Sequence, residues 1–202
     1  MMRNLLLLVG ALALNVGSAY AGVQVGQSAP DFTLPDTNGQ SHQLSGYKGK
    51  YVVLEWYNPD CPFVRKHYGS GNMQALQKEF TAKGVVWLSI DSSAQGQEGN
   101  YSAAKLNEIA SSQGAARTAL LLDPEGKVGH EYGAKTTPDM YIISPQGTLV
   151  YEGAIDSKPS TNWDDLKTAT NYVRVALQAS MSGKTVGQTN TRPYGCSVKY
   201  AP

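Results

Sequence analysis

Two short runs, Tyr51 to Tyr57 (YVVLEWY) and Gly84 to Ile90 (GVVWLSI), carry apolar β-branched and aromatic residues at most positions. That is the pattern of central parallel strands covered on both faces. Between them Met73, Leu76 and Phe80 recur at i, i+3 and i+7, which predicts a helix. Gly69-Ser70-Gly71 marks a kink or break after its first turns. Upstream, residues 31–50 predict an N-terminal β-hairpin around Asp36-Thr37-Asn38-Gly39, because Asn-Gly between alternating segments is a strong turn signal.

Downstream, an amphipathic helix is expected over Tyr101–Gln113 and a strand over Ala119–Leu122, followed by the turn Asp123-Pro124-Glu125-Gly126. Met140–Ile143 and Thr148–Tyr151 form a second hairpin about Ser144-Pro145-Gln146-Gly147, and Trp163–Met181 reads as the closing helix. Beyond Gly183 the chain turns polar and glycine-rich, a composition that predicts little regular structure. Strands alternating with helices imply an α/β domain.

The first 21 residues stand apart. Arg3, the apolar run Leu5–Val16 and Ala19-Tyr20-Ala21 have the form of a cleaved secretory signal. The run of 12 apolar residues is shorter than the roughly 20 that a spanning helix needs. Export in this form points to an oxidising periplasm. The remaining 181 residues suit one domain, 22–182, with a tail, 183–202. Without Arg3 the formal charge falls from +1 to 0, so neither nucleic acid nor an anionic membrane is indicated as a partner.

Only two cysteines are present, Cys61 and Cys196. A protein disulfide therefore joins these two or links two chains. Cys61 sits at the end of the first long strand, in LEWYNPDCPFVRKHY, where a helix should begin with Pro62 in its first position. Free backbone N–H groups, the helix dipole, and the charges of Arg65, Lys66 and His67 favour a thiolate there. Asp60 is expected to cap the helix. Glu55, six residues before the cysteine, is either a proton relay to the sulfur or an outward-facing residue at a strand end. His42 and His130 read as surface or turn residues, and Trp56, Trp87 and Tyr141 as core.

The AxDFTLPDTNGQ opening (29–40), NPDCPFV (58–64), TTPDMYIISPQG (136–147) and the terminal GCSVKY (195–200) together resemble the thioredoxin superfamily, in its peroxiredoxin-like, AhpC/TSA-type redoxin branch. The resemblance implies a thioredoxin-like fold, a central mixed β-sheet flanked by helices, with an N-terminal β-hairpin and a C-terminal tail. It implies a thiol-dependent oxidoreductase in which Cys61 is the nucleophile and Pro138 a cis-proline facing it. The backbone of Thr137 would pair with an extended substrate. The second cysteine of the thioredoxin pattern is replaced by Val64, so resolution falls to Cys196, which 14 residues of chain after Ser182, spanning up to roughly 45 Å, allow to reach Cys61 or a partner chain.

The peroxidatic Thr or Ser is replaced by Asn58 and the late arginine by Pro138, although Asn58 retains hydrogen-bonding capacity and Arg65 can approach from the helix. Thiol–disulfide exchange on a protein or small-molecule substrate, sustained by an external thiol reductant, is accordingly favoured over peroxide reduction. No cofactor is implied. A metal-binding or interaction module, with Cys61, His67 and Cys196 as ligands, is the remaining alternative, but the spacing matches no familiar metal site. A homodimer is required only if Cys196 acts across chains.

Overall fold

The computed structural model describes residues 22–202, so the expected signal segment lies outside the described residues. Strands β1 (Thr33–Pro35) and β2 (Ser41–Gln43) pair antiparallel as the N-terminal hairpin. A five-stranded sheet follows, built from β3 (Val52–Trp56), β4 (Val86–Asp91), β5 (Ala119–Leu122), β7 (Asp139–Ile143) and β8 (Leu149–Gly153) in the order β5-β4-β3-β7-β8. β3, β4 and β5 run parallel, and β7 and β8 run antiparallel to their neighbours. This is the mixed sheet of the thioredoxin-like fold.

Strand alternation splits the core in two. Val53 and Tyr57 face a layer made with α1 (Pro62–Gly69), α2 (Asn72–Thr81), α5 (Tyr172–Met181) and Leu106 of α3 (Ala103–Ser112). Leu54 and Trp56 face the opposite layer, with the hairpin residues Phe32 and Leu34 and with Val128 and Tyr132 of α4 (Lys127–Tyr132). Trp56, Trp87 and Tyr141 are buried, as their strand positions imply. The break expected near residues 69–71 separates α1 from α2, with Gly71 at φ +77° supplying the left-handed link.

Three elements depart from expectation. The closing helix is divided: a 3-10 turn at Trp163–Lys167 stops before α5, which begins when the Asn171 side chain accepts from the Arg174 N–H. The Tyr172 N–H that opens α5 is taken by the Ile155 carbonyl, so tertiary contact wins over a continuous helix. α4 has only six residues, between Gly126 and Gly133 in left-handed conformation, too short for periodicity to reveal. The tail is laid on the domain rather than left without structure. Its residues 189–191 bond to the β8 backbone, and β9 (Cys196–Ser197) pairs antiparallel with β6 (Thr136–Thr137). Tyr194 and Cys196 join one core layer, while Val198 and Tyr200 join the other, so the tail crosses the end of the sheet.

Candidate active site

Cys61 follows the loop that leaves β3 and is itself the cap residue before α1, with Pro62 opening the helix. The loop is fixed by Asn58, whose amide donates to the Glu98 carbonyl at 2.9 Å while its oxygen accepts the Asp60 N–H at 2.8 Å. Asn58 is buried and hydrogen-bonded away from the sulfur. Asp60 is not the helix cap: it pairs with Arg65 at 2.8 Å and accepts from Tyr101 at 2.7 Å. Arg65 donates also to the Pro59 carbonyl at 3.0 Å, which leaves it bracing the loop at the surface.

Pro138 follows a cis peptide bond from Thr137. Two contacts meet at the Cys61 sulfur, which is fully buried: 2.9 Å to the Thr137 carbonyl and 2.8 Å to Cys196 Sγ. Both cysteines are free thiols. The β6–β9 register sets Cys196 directly opposite Thr137, so backbone pairing rather than chance proximity places the second sulfur. Burial first, and then the adjoining Cys61, pushes the Cys196 thiol up to about 12, which keeps its proton in place while the tail is seated. The Thr137 hydroxyl is also buried and has no hydrogen-bond partner among the described residues.

Glu55, next to last in β3, does not face outward. It is fully buried and accepts from Ser89 Oγ at 2.7 Å, Trp87 Nε1 at 2.8 Å and Tyr68 OH at 2.8 Å. All its hydrogen bonds are made inside the core, and none goes to Cys61. Arg117, which sequence reasoning passed over, lies next to this network: its guanidinium stands 4.4 Å from the Tyr57 ring centroid and 5.2 Å from that of Tyr68.

Lys66 and His67 are also fully buried and turn toward the tail rather than the thiol. Lys66 donates to the Lys158 carbonyl at 2.9 Å, and His67 Nε2 lies 3.4 Å from Tyr194 OH. Burial drives the His67 imidazole down to about 4, so at neutral pH it adds no positive charge near the sulfur. His67 Nδ1 is engaged by Asn72 at 2.9 Å. Among the described residues no three His, Cys, Asp or Glu side chains converge in a metal-holding group. His42 is no solvated turn residue: it bridges Asp36 at 2.9 Å and Tyr47 at 2.5 Å, clamping the hairpin.

Sequence reasoning also missed Asp156 and Tyr194. The alternation Tyr194, Cys196, Val198, Tyr200 was the available signal for a strand-like tail.

A family model described as AhpC/TSA family matches residues 25–152, a span that includes Cys61, Thr137 and Pro138 but ends before Cys196. The chain is 29% identical over 150 residues to "Thiol-disulfide oxidoreductase ResA" of Bacillus subtilis, covering 72% of this chain and 78% of the relative. A 63-residue segment, 27% of the chain and 40% of the relative, is 47% identical to "Peroxiredoxin Bcp" of the same organism. Among solved structures, an uncharacterized conserved protein from Geobacillus kaustophilus is similar with TM-score 0.76 and 27% identity, over 89% of this chain and 93% of that one.

Proposed function

The chain belongs to the AhpC/TSA family and is a thioredoxin-like, thiol-dependent oxidoreductase, and from that premise we propose a two-cysteine thiol–disulfide exchange cycle within one chain. The observation that carries this reading is the approach of the Cys196 and Cys61 sulfurs to 2.8 Å beside the cis Thr137-Pro138 bond. Cys61, as thiolate, attacks a substrate disulfide and the leaving sulfur departs as a thiolate. The result is a mixed disulfide on Cys61. Cys196 then attacks the Cys61 sulfur, its proton passing to the substrate thiolate that is expelled. Cys61–Cys196 forms, the substrate leaves with both its sulfurs reduced, and an external thiol reductant restores the pair. The same steps in reverse oxidise a dithiol.

Thr137 and Pro138 act as the rail for an extended substrate, while Asn58 and Arg65 hold the loop that carries Cys61. The domain assignment, 22–182 with a functional tail at 183–202, belongs to this reading. So does a periplasmic location, which rests on the signal-like pattern of residues 1–21. Pairing inside one chain makes a dimer unnecessary. The substrate class is a protein or small-molecule disulfide or dithiol.

Non-reducing peptide mapping after mild oxidation, with alkylation of free thiols and a Cys196→Ser control, is the test. The expected product is an intrachain Cys61–Cys196 bridge. Cys61 free or capped by a small thiol while Cys196 stays reduced would remove the resolving role, and an interchain bridge would make the dimer the working unit.

A second reading, thiol peroxidase, draws on the segment shared with Peroxiredoxin Bcp. Peroxide would convert Cys61 to a sulfenic acid with release of water, and Cys196 would condense with it, releasing a second water. The hydrogen bonds of Asn58 and Arg65 go elsewhere, which weakens this reading. Stopped-flow oxidation by hydrogen peroxide no faster than that of free cysteine eliminates it.

A further inference from the structure

We propose that the groove now filled by the tail is a binding site for extended polypeptide, with a subsite that takes an aromatic side chain two residues before the substrate's reacting cysteine. The proposal rests on the exchange chemistry argued above and adds what the site selects.

The tail supplies the evidence, since it occupies the groove as a strand would. Cys196 is registered against Thr137 and Ser197 against Thr136. Gly195 lies so close to the cis-proline turn that a Cβ on it would run into the Thr137 carbonyl. Backbone pairing of this kind is available to a polypeptide and not to a small thiol. Two residues before Cys196, the Tyr194 ring enters a dedicated pocket. It meets Phe63 edge-on at 5.8 Å and has Lys66 Nζ 5.7 Å from its centroid. Its hydroxyl donates to Asp156 Oδ1 at 2.5 Å and lies 3.4 Å from His67 Nε2.

Phe63, Lys66 and His67 stand at i, i+3 and i+4 of α1, and therefore on one face of the helix that Cys61 begins. One rigid element thus fixes the spacing between the reacting sulfur and the aromatic pocket. The pocket is built of buried polar groups: Lys66, His67 and Asp156 are all at 0–2% exposure, and Asp156 Oδ2, 3.9 Å from both Lys66 Nζ and His67 Nε2, has no hydrogen-bond partner among the described residues. A cleft of about 610 Å³ continues beside Tyr194 between Asp156, Pro159, Tyr172 and Arg192, which leaves room for chain that precedes the aromatic residue. Cys61 has no exposed surface while the tail is seated, so an incoming strand must replace it.

The test uses the full chain with Tyr194→Ala and Cys196→Ser, which empties the pocket and removes the competing thiol. Three disulfides of thionitrobenzoate are offered: an Asn-Thr-Arg-Pro-Tyr-Gly-Cys-Ser-Val-Lys peptide, its Tyr→Ala counterpart, and free cysteine. Cys61 thiolate attacks the cysteine sulfur, a mixed disulfide forms, and yellow thionitrobenzoate leaves with the electron pair. The tyrosine peptide should react ~10-fold faster than the alanine peptide, the size expected for an aromatic contact with a hydrogen bond. Adding Phe63→Ala, a change at a partly exposed position, should erase most of that ratio. Far-UV circular dichroism checks that both chains are folded. Equal rates for the two peptides, together with ready reaction of cysteine–thionitrobenzoate, overturn the subsite and leave the exchange reading standing. Failure of all three reagents in a folded chain overturns both.

Discussion

Replacing Glu55 by Gln tests whether this buried carboxylate is a structural centre or a proton relay. The carboxylate accepts from Ser89, Trp87 and Tyr68, and more weakly from Gln77 at 3.4 Å. An amide keeps one acceptor oxygen and puts an NH2 where donors already point. At least one buried donor then loses its partner, at about 1–3 kcal/mol. The substitution also removes the anionic charge next to Arg117, whose guanidinium nitrogens have no hydrogen-bond partner among the described residues. Together these give ~3 kcal/mol of destabilisation, a large part of the about 5–15 kcal/mol that holds a typical domain. With a urea slope of about 2 kcal/mol/M, the midpoint should fall by ~1.5 M. An Arg117→Leu change made alone and with Glu55→Gln should show coupling of ~1 kcal/mol or more, because the double variant leaves no unpaired buried charge. The pH profile of Cys61 alkylation should not move. A midpoint unchanged within about 0.3 M refutes the structural role, and an alkylation profile displaced by about one pH unit restores the relay.

Three further outcomes are expected. His67 is held down to about 4, so as pH falls from 6.5 the unfolded chain takes its proton first and native stability is lost, by about 3 kcal/mol down to pH 4. Asp139, raised by burial to about 7, binds its proton first in the native state and gains stability over the same window, so the measurement is the difference between His67→Gln and wild type. That difference should move by ~3 kcal/mol in favour of the variant between pH 7 and 4, and a flat difference refutes it. Gly129→Ala would drive a Cβ into the Tyr200 ring, whose hydroxyl donates to the Ala134 carbonyl at 2.9 Å. Unseating this end of the tail should raise Cys61 alkylation ~10-fold, as Tyr200→Ala should, and an unchanged rate would show that Tyr200 does not hold the tail. Asn171→Ala removes the cap at the Arg174 N–H and should lower stability by ~1 kcal/mol in urea melts, whereas an equal midpoint would show that packing alone starts α5.

By itself the sequence determined what depends on local period and junction chemistry. The largely apolar, β-branched and aromatic runs placed β3 and β4, the 3.6-residue stripe placed α2, and Asn-Gly placed the N-terminal turn. Cys61 was legible because a strand end meeting a Pro-initiated helix is a local pattern, and the cis-proline because TTPDMYIIS resembles a known family. Tertiary structure decided the rest. Glu55 is interior because the β3–β4 register brings Ser89 opposite it and packs Trp87 and Tyr68 over it, contacts that no window of sequence contains. His67 faces Asp156 and Tyr194, 89 and 127 positions away, so its charge state is set by burial rather than by its distance from Cys61 along the helix. The reach of the tail allowed Cys196 to lie almost anywhere within roughly 45 Å. Pairing between β6 and β9, with Tyr194 and Tyr200 seated in opposite core layers, reduced that range to 2.8 Å.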